Sequence, residues 1–127
     1  MEYEHDYDDF KISIDDIDAI GEMNSTETGK YIAVVYSMNC GHCLNMIKTI
    51  NNSLGENTFE NYVEERKQER MSEIYDGDFD FFDTSEFDPN NPNNGKNIKH
   101  VPTVFVYENG KRKEGDIKEL YRFIGVM

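Results

Sequence analysis

Tyr31 to Tyr36 (YIAVVY) is an unbroken apolar run, largely β-branched and aromatic, and nothing else in the sequence constrains the fold as tightly. Such a run suits a strand covered on both faces within a partly parallel sheet. It leads through Ser37-Met38-Asn39 into Cys40-Gly41-His42-Cys43. Leu44, Ile47, Ile50 and Leu54 then fall three to four residues apart, marking one face of a helix that Gly55 ends. Strand, cysteine turn and helix are therefore consecutive.

The remaining elements are read around that unit. Ser13 with Asp16 three residues on has the form of a helix N-cap, and Ile14, Ile17 and Ile20 recur at helical spacing before Gly21 stops the run. Phe10 to Ile12 would be a first strand. Thr58 to Tyr75 is dense in charge and in helix formers, with Phe59, Val63, Ile74 and Tyr75 as sparse apolar anchors, which predicts a solvated second helical piece. Phe79 and Phe81 alternate with Asp78, Asp80 and Phe82 in a strand pattern, and Phe79, Phe81, Phe82 and Phe87 are expected in core and edge packing. Pro89 to Lys99, with two prolines, one glycine and five asparagines, predicts a loop rather than a regular element. Thr103 to Tyr107 is β-rich and meets a turn at Asn109-Gly110, after which Lys111 to Lys113 can pair back as a hairpin. Asp116 then caps a last helix carrying Ile117, Leu120, Tyr121 and Ile124 on one face. This order predicts an α/β fold, a mixed central sheet flanked by helices.

At 127 residues the whole chain, 1–127, is read as one domain, with residues 1–9 an acidic, flexible N-terminal tail. The net charge of -13 repels phosphate backbones, so nucleic acid is not an expected partner. The charge is uneven. Residues 2–18 carry eight acids and one lysine, whereas residues 96–122 hold seven of the 13 basic side chains, an asymmetry that first of all serves solubility. No run of roughly 18 apolar residues exists to span a bilayer, so no membrane is expected. The first ten residues lack the basic start and apolar stretch of a secretory signal, and no retention tetrapeptide closes the chain. A cytoplasmic or virion-associated location is the resulting expectation, with a removed leader as the other option, and the composition of 13 asparagines and two alanines resembles AT-rich coding sequences, a hint toward a viral source.

Two cysteines three positions apart close too short a loop to staple a domain, so their value is chemical. At a strand-to-helix junction the unpaired amides and the helix dipole favour an anion, which makes Cys40 the nucleophile and leaves Cys43, one turn inward, to attack the mixed disulfide. Gly41 is expected to permit the tight turn, and an imidazolium at His42 would further stabilise the Cys40 thiolate and hence the reduced form. The same spacing also serves zinc. Zinc takes four ligands, however, and only His5, His42, His100 and carboxylates stand available, so neither metal nor cofactor is expected. His100 is read as a surface loop histidine.

Cys40-Gly41-His42-Cys43 after YIAVVYSMN resembles the active site of the protein disulfide isomerase branch of the thioredoxin superfamily, and Val101-Pro102-Thr103 followed by VFVYENGK resembles that family's cis-proline loop. The resemblance covers about residues 10–125. It implies a thioredoxin-like fold in which Pro102 is cis and lies against the cysteine pair, with Val101 offering backbone hydrogen bonds to a substrate segment. It implies a disulfide oxidase or isomerase that exchanges disulfides with protein substrates and is recycled by a redox partner, either a thiol oxidase or glutathione.

The sequence also departs from that pattern. Asn39 replaces the tryptophan common before the first cysteine, Leu44 the lysine common after the second, and Val34 the buried carboxylate often found six residues before the first. The segment between Thr58 and Lys99 is longer than in a minimal thioredoxin and is read as a surface embellishment. These departures keep two alternatives open: a redox-inactive binding or structural protein on the same scaffold, and a reductase of thioredoxin type.

Overall fold

Ser13 begins the first helix because its side chain and that of Asp16 satisfy each other's backbone amides. Ser13 Oγ accepts the Asp16 N–H at 3.3 Å, and Asp16 Oδ2 accepts the Ser13 N–H at 3.0 Å. The computed structural model, which describes residues 12–72, 77–87, 90–92, 94 and 98–126, carries this helix, α1, from Ile14 to Thr28. Gly21 does not stop it. The helix runs on to a Gly29 cap, and Gly21 lies in its middle because the Tyr107 ring packs on that spot, so that a Cβ there would meet three ring atoms at 2.6 Å. Tyr107 cannot easily retreat, being fully buried with its hydroxyl donating to Asp18 Oδ1 at 2.6 Å. We therefore expect Gly21→Ala to lower the thermal midpoint, since overpacking costs about 1–3 kcal/mol against a helix-propensity gain of at most about 1 kcal/mol. A midpoint raised by the substitution would contradict this packing.

The strand β1 spans Lys30–Tyr36 and is the centre of a four-stranded sheet completed by β2 (Phe79–Asp83), β3 (Thr103–Glu108) and β4 (Lys111–Gly115). The order is β2-β1-β3-β4, with β2 parallel to β1 and both β1–β3 and β3–β4 antiparallel. A strand buried on both faces needs no alternation, which is why YIAVVY is apolar throughout. Tyr31, Ala33 and Val35 face α1 through Ile14 and Ile17, while Ile32, Val34 and Tyr36 face the helix α2 (Gly41–Leu54) and Leu120 of the last helix, α4 (Ile117–Ile124). The α4 start follows the predicted chemistry, with Asp116 and Glu119 forming a second reciprocal cap. This mixed sheet with helices on both faces is a thioredoxin-like fold.

Several expectations change in detail. The buried face of α2 is Cys43, Met46, Ile47 and Ile50, whereas Leu44 is 46% exposed. The apolar stripe begins with the second cysteine itself. The second helical piece, α3, spans Thr58–Met71, and Ile74 and Tyr75 lie outside the described residues. One face of it is packed: Phe59 enters the core, Tyr62 and Val63 lie partly buried against it, and Arg70 is 3% exposed. Of the proposed first strand, Phe10 lies outside the described residues and Ile12 makes one parallel bridge to Phe87. The acidic tail, residues 1–9, also lies outside them. The asparagine-rich segment is not wholly a loop, for Pro92 and Asn94 are helical and the Ile98 N–H donates to Asn94 O at 2.9 Å. Asn94 also accepts the Ile14 N–H at 2.8 Å, so its side chain satisfies an amide that the first turn of α1 leaves open. Among the described residues no helix is long and apolar enough to cross a membrane.

Candidate active site

Cys40 is the N-cap of α2, in extended backbone conformation, and its Sγ accepts the Cys43 N–H at 3.4 Å. A sulfur in this position does what a capping serine oxygen does, and it gains more when it carries charge. That donation is the first cause of a Cys40 thiol held below the ordinary cysteine range. The Cys43 thiol and the His42 backbone N–H add to it, and together they outweigh the upward push of burial. Cys40 is half-buried and reachable from solvent; Cys43 is fully buried.

The second sulfur is tuned the other way. Burial pushes the Cys43 thiol up to about 11, reinforced by its bond to Cys40 and by the negative charges of Cys40 and Asp83, against a weaker opposing donation from the Ser37 N–H to Cys43 Sγ at 3.4 Å. One cysteine is thus prepared to be a thiolate while its neighbour holds a proton. A pair split in this way can form a mixed disulfide at the outer sulfur and resolve it from the inner one.

The second motif closes over the first. The Val101–Pro102 peptide is cis, and Val101 O accepts a hydrogen bond from the Cys40 thiol at 3.4 Å across 61 positions of sequence. Thr103 Oγ1 donates to His100 O, tying the loop to the start of β3. Between α2 and the cis-proline loop lies a groove of about 320 Å³ whose walls include His42, His100, Pro102, Glu114, Ile117 and Tyr121. His100 Nε2 stands 3.6 Å from Glu114 Oε2, both side chains well exposed.

The predicted residues therefore converge, with three changes of role. His42 reaches Cys40 through its backbone N–H, while the residue itself lines the groove. Gly41 is not required by space, since a Cβ on it would meet nothing within 4 Å. Val101, whose backbone was expected to serve a substrate, accepts a hydrogen bond from Cys40 itself through its carbonyl. Glu114 was not anticipated as a groove residue, although its place on the strand that returns from the Asn109-Gly110 turn puts it beside the cis-proline strand, paired with Phe105. Among the described residues no group of three or more His, Cys, Asp or Glu is arranged to hold a metal ion.

The chain thus combines a thioredoxin-like fold with a C-x-x-C pair at a strand-to-helix junction. No protein-family model and no curated protein matches the sequence. Among solved structures the chain is similar to the J-Trx1 fragment of ERdj5, at a TM-score of 0.48 and 15% identity over 95% of this chain, and it spans only 53% of that fragment. It is similar to a thioredoxin of Fasciola hepatica (TM-score 0.46, 13% identity, 89% of this chain and 92% of that one). It is also similar to mitochondrial thioredoxin 3 of Saccharomyces cerevisiae in its oxidised form (TM-score 0.47, 16% identity, 91% of each chain). Similarities of this size assign no activity, and the chemistry rests on the site.

Proposed function

We propose that the chain is a dithiol-disulfide oxidoreductase of the oxidase or isomerase type, acting on protein thiols and disulfides through Cys40 and Cys43 without a bound cofactor. The observation that carries this reading is Cys40 Sγ at the α2 N-cap, accepting the Cys43 N–H. Stabilising the Cys40 thiolate favours the dithiol form, and a pair whose reduced form is favoured is an oxidant. In the oxidising direction a substrate thiolate attacks Cys40 Sγ of the Cys40–Cys43 disulfide and expels the Cys43 thiolate, which takes up a proton. A second substrate thiolate then attacks the substrate sulfur of the mixed disulfide and expels Cys40. The substrate loses two electrons and the protein gains them. A thiol oxidase or glutathione disulfide would take those two electrons and return the pair to the disulfide.

Equilibration with a glutathione buffer tests the direction. The reading expects a potential nearer the value of about -180 mV typical of protein disulfide isomerase than the value of about -270 mV typical of thioredoxin. A result at the thioredoxin end makes the chain a reductase instead. The competing reading, a redox-inactive binding protein, is favoured by the exposure of Met38 (52%) and Leu44 (46%) beside Cys40, an apolar surface suited to a partner. A pair that does not equilibrate with glutathione at all would favour that reading.

A further inference from the structure

If Cys43 is to attack a mixed disulfide it must first lose its proton, and the structure removes the nearest place to put it. Val34 and its partner in register, Phe81, face the Cys43 side of the sheet with apolar side chains, so the middle of this face offers no base. The carboxylates near the site can be sorted by which face they occupy and by what already holds them. Residues paired in a parallel register share a face. Val34 with Phe81 and Ile32 with Phe79 lie in the Cys43 cluster, while Val35 and Phe82 lie in the opposite one. By the same alternation Asp80 faces away from Cys43, and it is bound there by Arg70 at 2.6 Å and Tyr31 at 3.3 Å. Glu86 is committed to two cations, Arg70 and Lys67, each at 3.3 Å. Asp83 is different. It pairs with Tyr36 at the end of β2, on the Cys43 face and at the sheet end where β1 turns into the cysteine loop. It is half-buried, with Oδ1 accepting the Ser85 N–H at 3.0 Å. Its charge acts on both neighbouring acids of that corner, Tyr36 and Cys43.

We propose that Asp83, one strand over from the apolar Val34 position, is the proton acceptor for Cys43 during resolution of the mixed disulfide, an assignment that rests on the redox reading above. In the step, the Cys43 S–H bond breaks, its proton passes over one intervening water, and an O–H bond forms on the Asp83 carboxylate. The electron pair left on Cys43 attacks the Cys40 sulfur, the Cys40–substrate S–S bond breaks, and the substrate leaves as a thiolate. Electrons balance between the new Cys40–Cys43 bond and the departing thiolate. Asp83 later returns its proton to solvent. In the reverse direction the protonated carboxyl is placed to hand a proton to the Cys43 leaving group.

The test reads both cysteines in one trace. The reduced protein is mixed with a chromogenic aryl disulfide: the first thiolate released reports attack by Cys40, and the second reports resolution by Cys43. For Asp83→Asn we expect the first release unchanged and the second slowed about a hundredfold near pH 7, the usual scale for loss of a positioned base. The gap should close as the pH climbs toward the Cys43 value of about 11, where the thiol ionises unaided. Asp83→Glu, which restores the carboxylate, should recover most of the rate and so separates loss of the base from damage to the fold. A second release at the parental rate, with the parental pH profile, in Asp83→Asn overturns the assignment while leaving the redox reading standing. A parent chain whose first release is no faster than that of a free cysteine peptide overturns the redox reading and this assignment with it.

Discussion

Cys40→Ser is expected to abolish disulfide transfer to a reduced test protein while leaving the fold in place. The two halves of that expectation have separate causes. Serine has no thiol to enter exchange, so the loss of activity is complete rather than graded. Serine is also among the best N-cap residues, and its Oγ can accept the Cys43 N–H that Cys40 Sγ now accepts, so the start of α2 keeps its cap. The thermal midpoint should therefore barely move. Cys43→Ser behaves differently on both counts. The outer sulfur still attacks, but nothing resolves the product, so mixed disulfides accumulate and appear as thiol-sensitive bands on a non-reducing gel. Because Cys43 is fully buried, a hydroxyl there costs about 1–3 kcal/mol unless it finds a partner. Transfer activity equal to the parent in Cys40→Ser would remove the proposed mechanism.

The second large effect lies away from the sulfurs, where α3 is pinned to the sheet edge. Arg70, 3% exposed, donates to Asp80 Oδ1 at 2.6 Å and to Glu86 at 3.3 Å, and its guanidinium lies 4.7 Å from the centre of the Phe82 ring. Tyr31 donates to the other Asp80 oxygen. Asp80→Leu takes away the shortest partner of a buried cation and the acceptor of a buried hydroxyl, and breaking such a pair from one side costs about 3–5 kcal/mol. Urea unfolding should show that loss. The double variant Arg70→Met with Asp80→Leu should recover most of it, because Glu86 keeps Lys67 and no charge is left stranded. If the double variant is as unstable as the single one, Arg70 contributes by shape rather than by charge. The pair also sets a pH dependence. Burial pushes the Asp80 carboxyl up to about 6 from 3.8, with Arg70 pulling in the opposite direction. Between those values the folded chain holds a proton that the unfolded chain has released, so this group's contribution to stability falls as the pH rises from about 4 to about 6 and is level above that. In the double variant this part of the pH profile should be absent.

What the sequence made legible was whatever depends on neighbours close in the chain. YIAVVY, the Ser13 and Asp116 caps, the Asn109-Gly110 hairpin and the Cys40 N-cap all follow from local chemistry, and the structure bears them out. The misreadings share the opposite property. Gly21 looks like a helix stop because glycine usually is one, and only Tyr107, 86 positions away, explains why it stands inside the helix instead. Arg70 looks like a solvated side chain because most arginines are, and its burial follows from Asp80 and Glu86 arriving on later elements. Leu44 lies one position away from the inward face because the stripe starts at Cys43, a residue that hydrophobic patterning passes over. In the site itself, the cis Pro102 loop beside the cysteines was implied by motif resemblance rather than by periodicity, the hydrogen bond of Cys40 to Val101 was not anticipated, and the placement of Asp83 needed the β1–β2 register.

The departures at Val34, Asn39 and Leu44 bear on function in different ways. Val34 puts an apolar side chain on the Cys43 face in the middle of the sheet, and the carboxylate of that face, Asp83, stands at the end of β2. Asn39 and Leu44 change the outer surface, where the exposed Met38 and Leu44 present apolar groups beside a half-buried nucleophile. A partner that docks there would meet thioether and aliphatic side chains rather than an indole and an ammonium.

The most direct measurement is the rate of Cys40 alkylation against pH, with each modified cysteine located by mass. A thiolate held by the α2 amides should titrate with a midpoint below the free-cysteine value of about 8.5, while Cys43 stays unmodified until far more alkaline solution. A Cys40 midpoint at or above that of free cysteine, or modification of Cys43 ahead of Cys40, would contradict the division of labour between the two sulfurs.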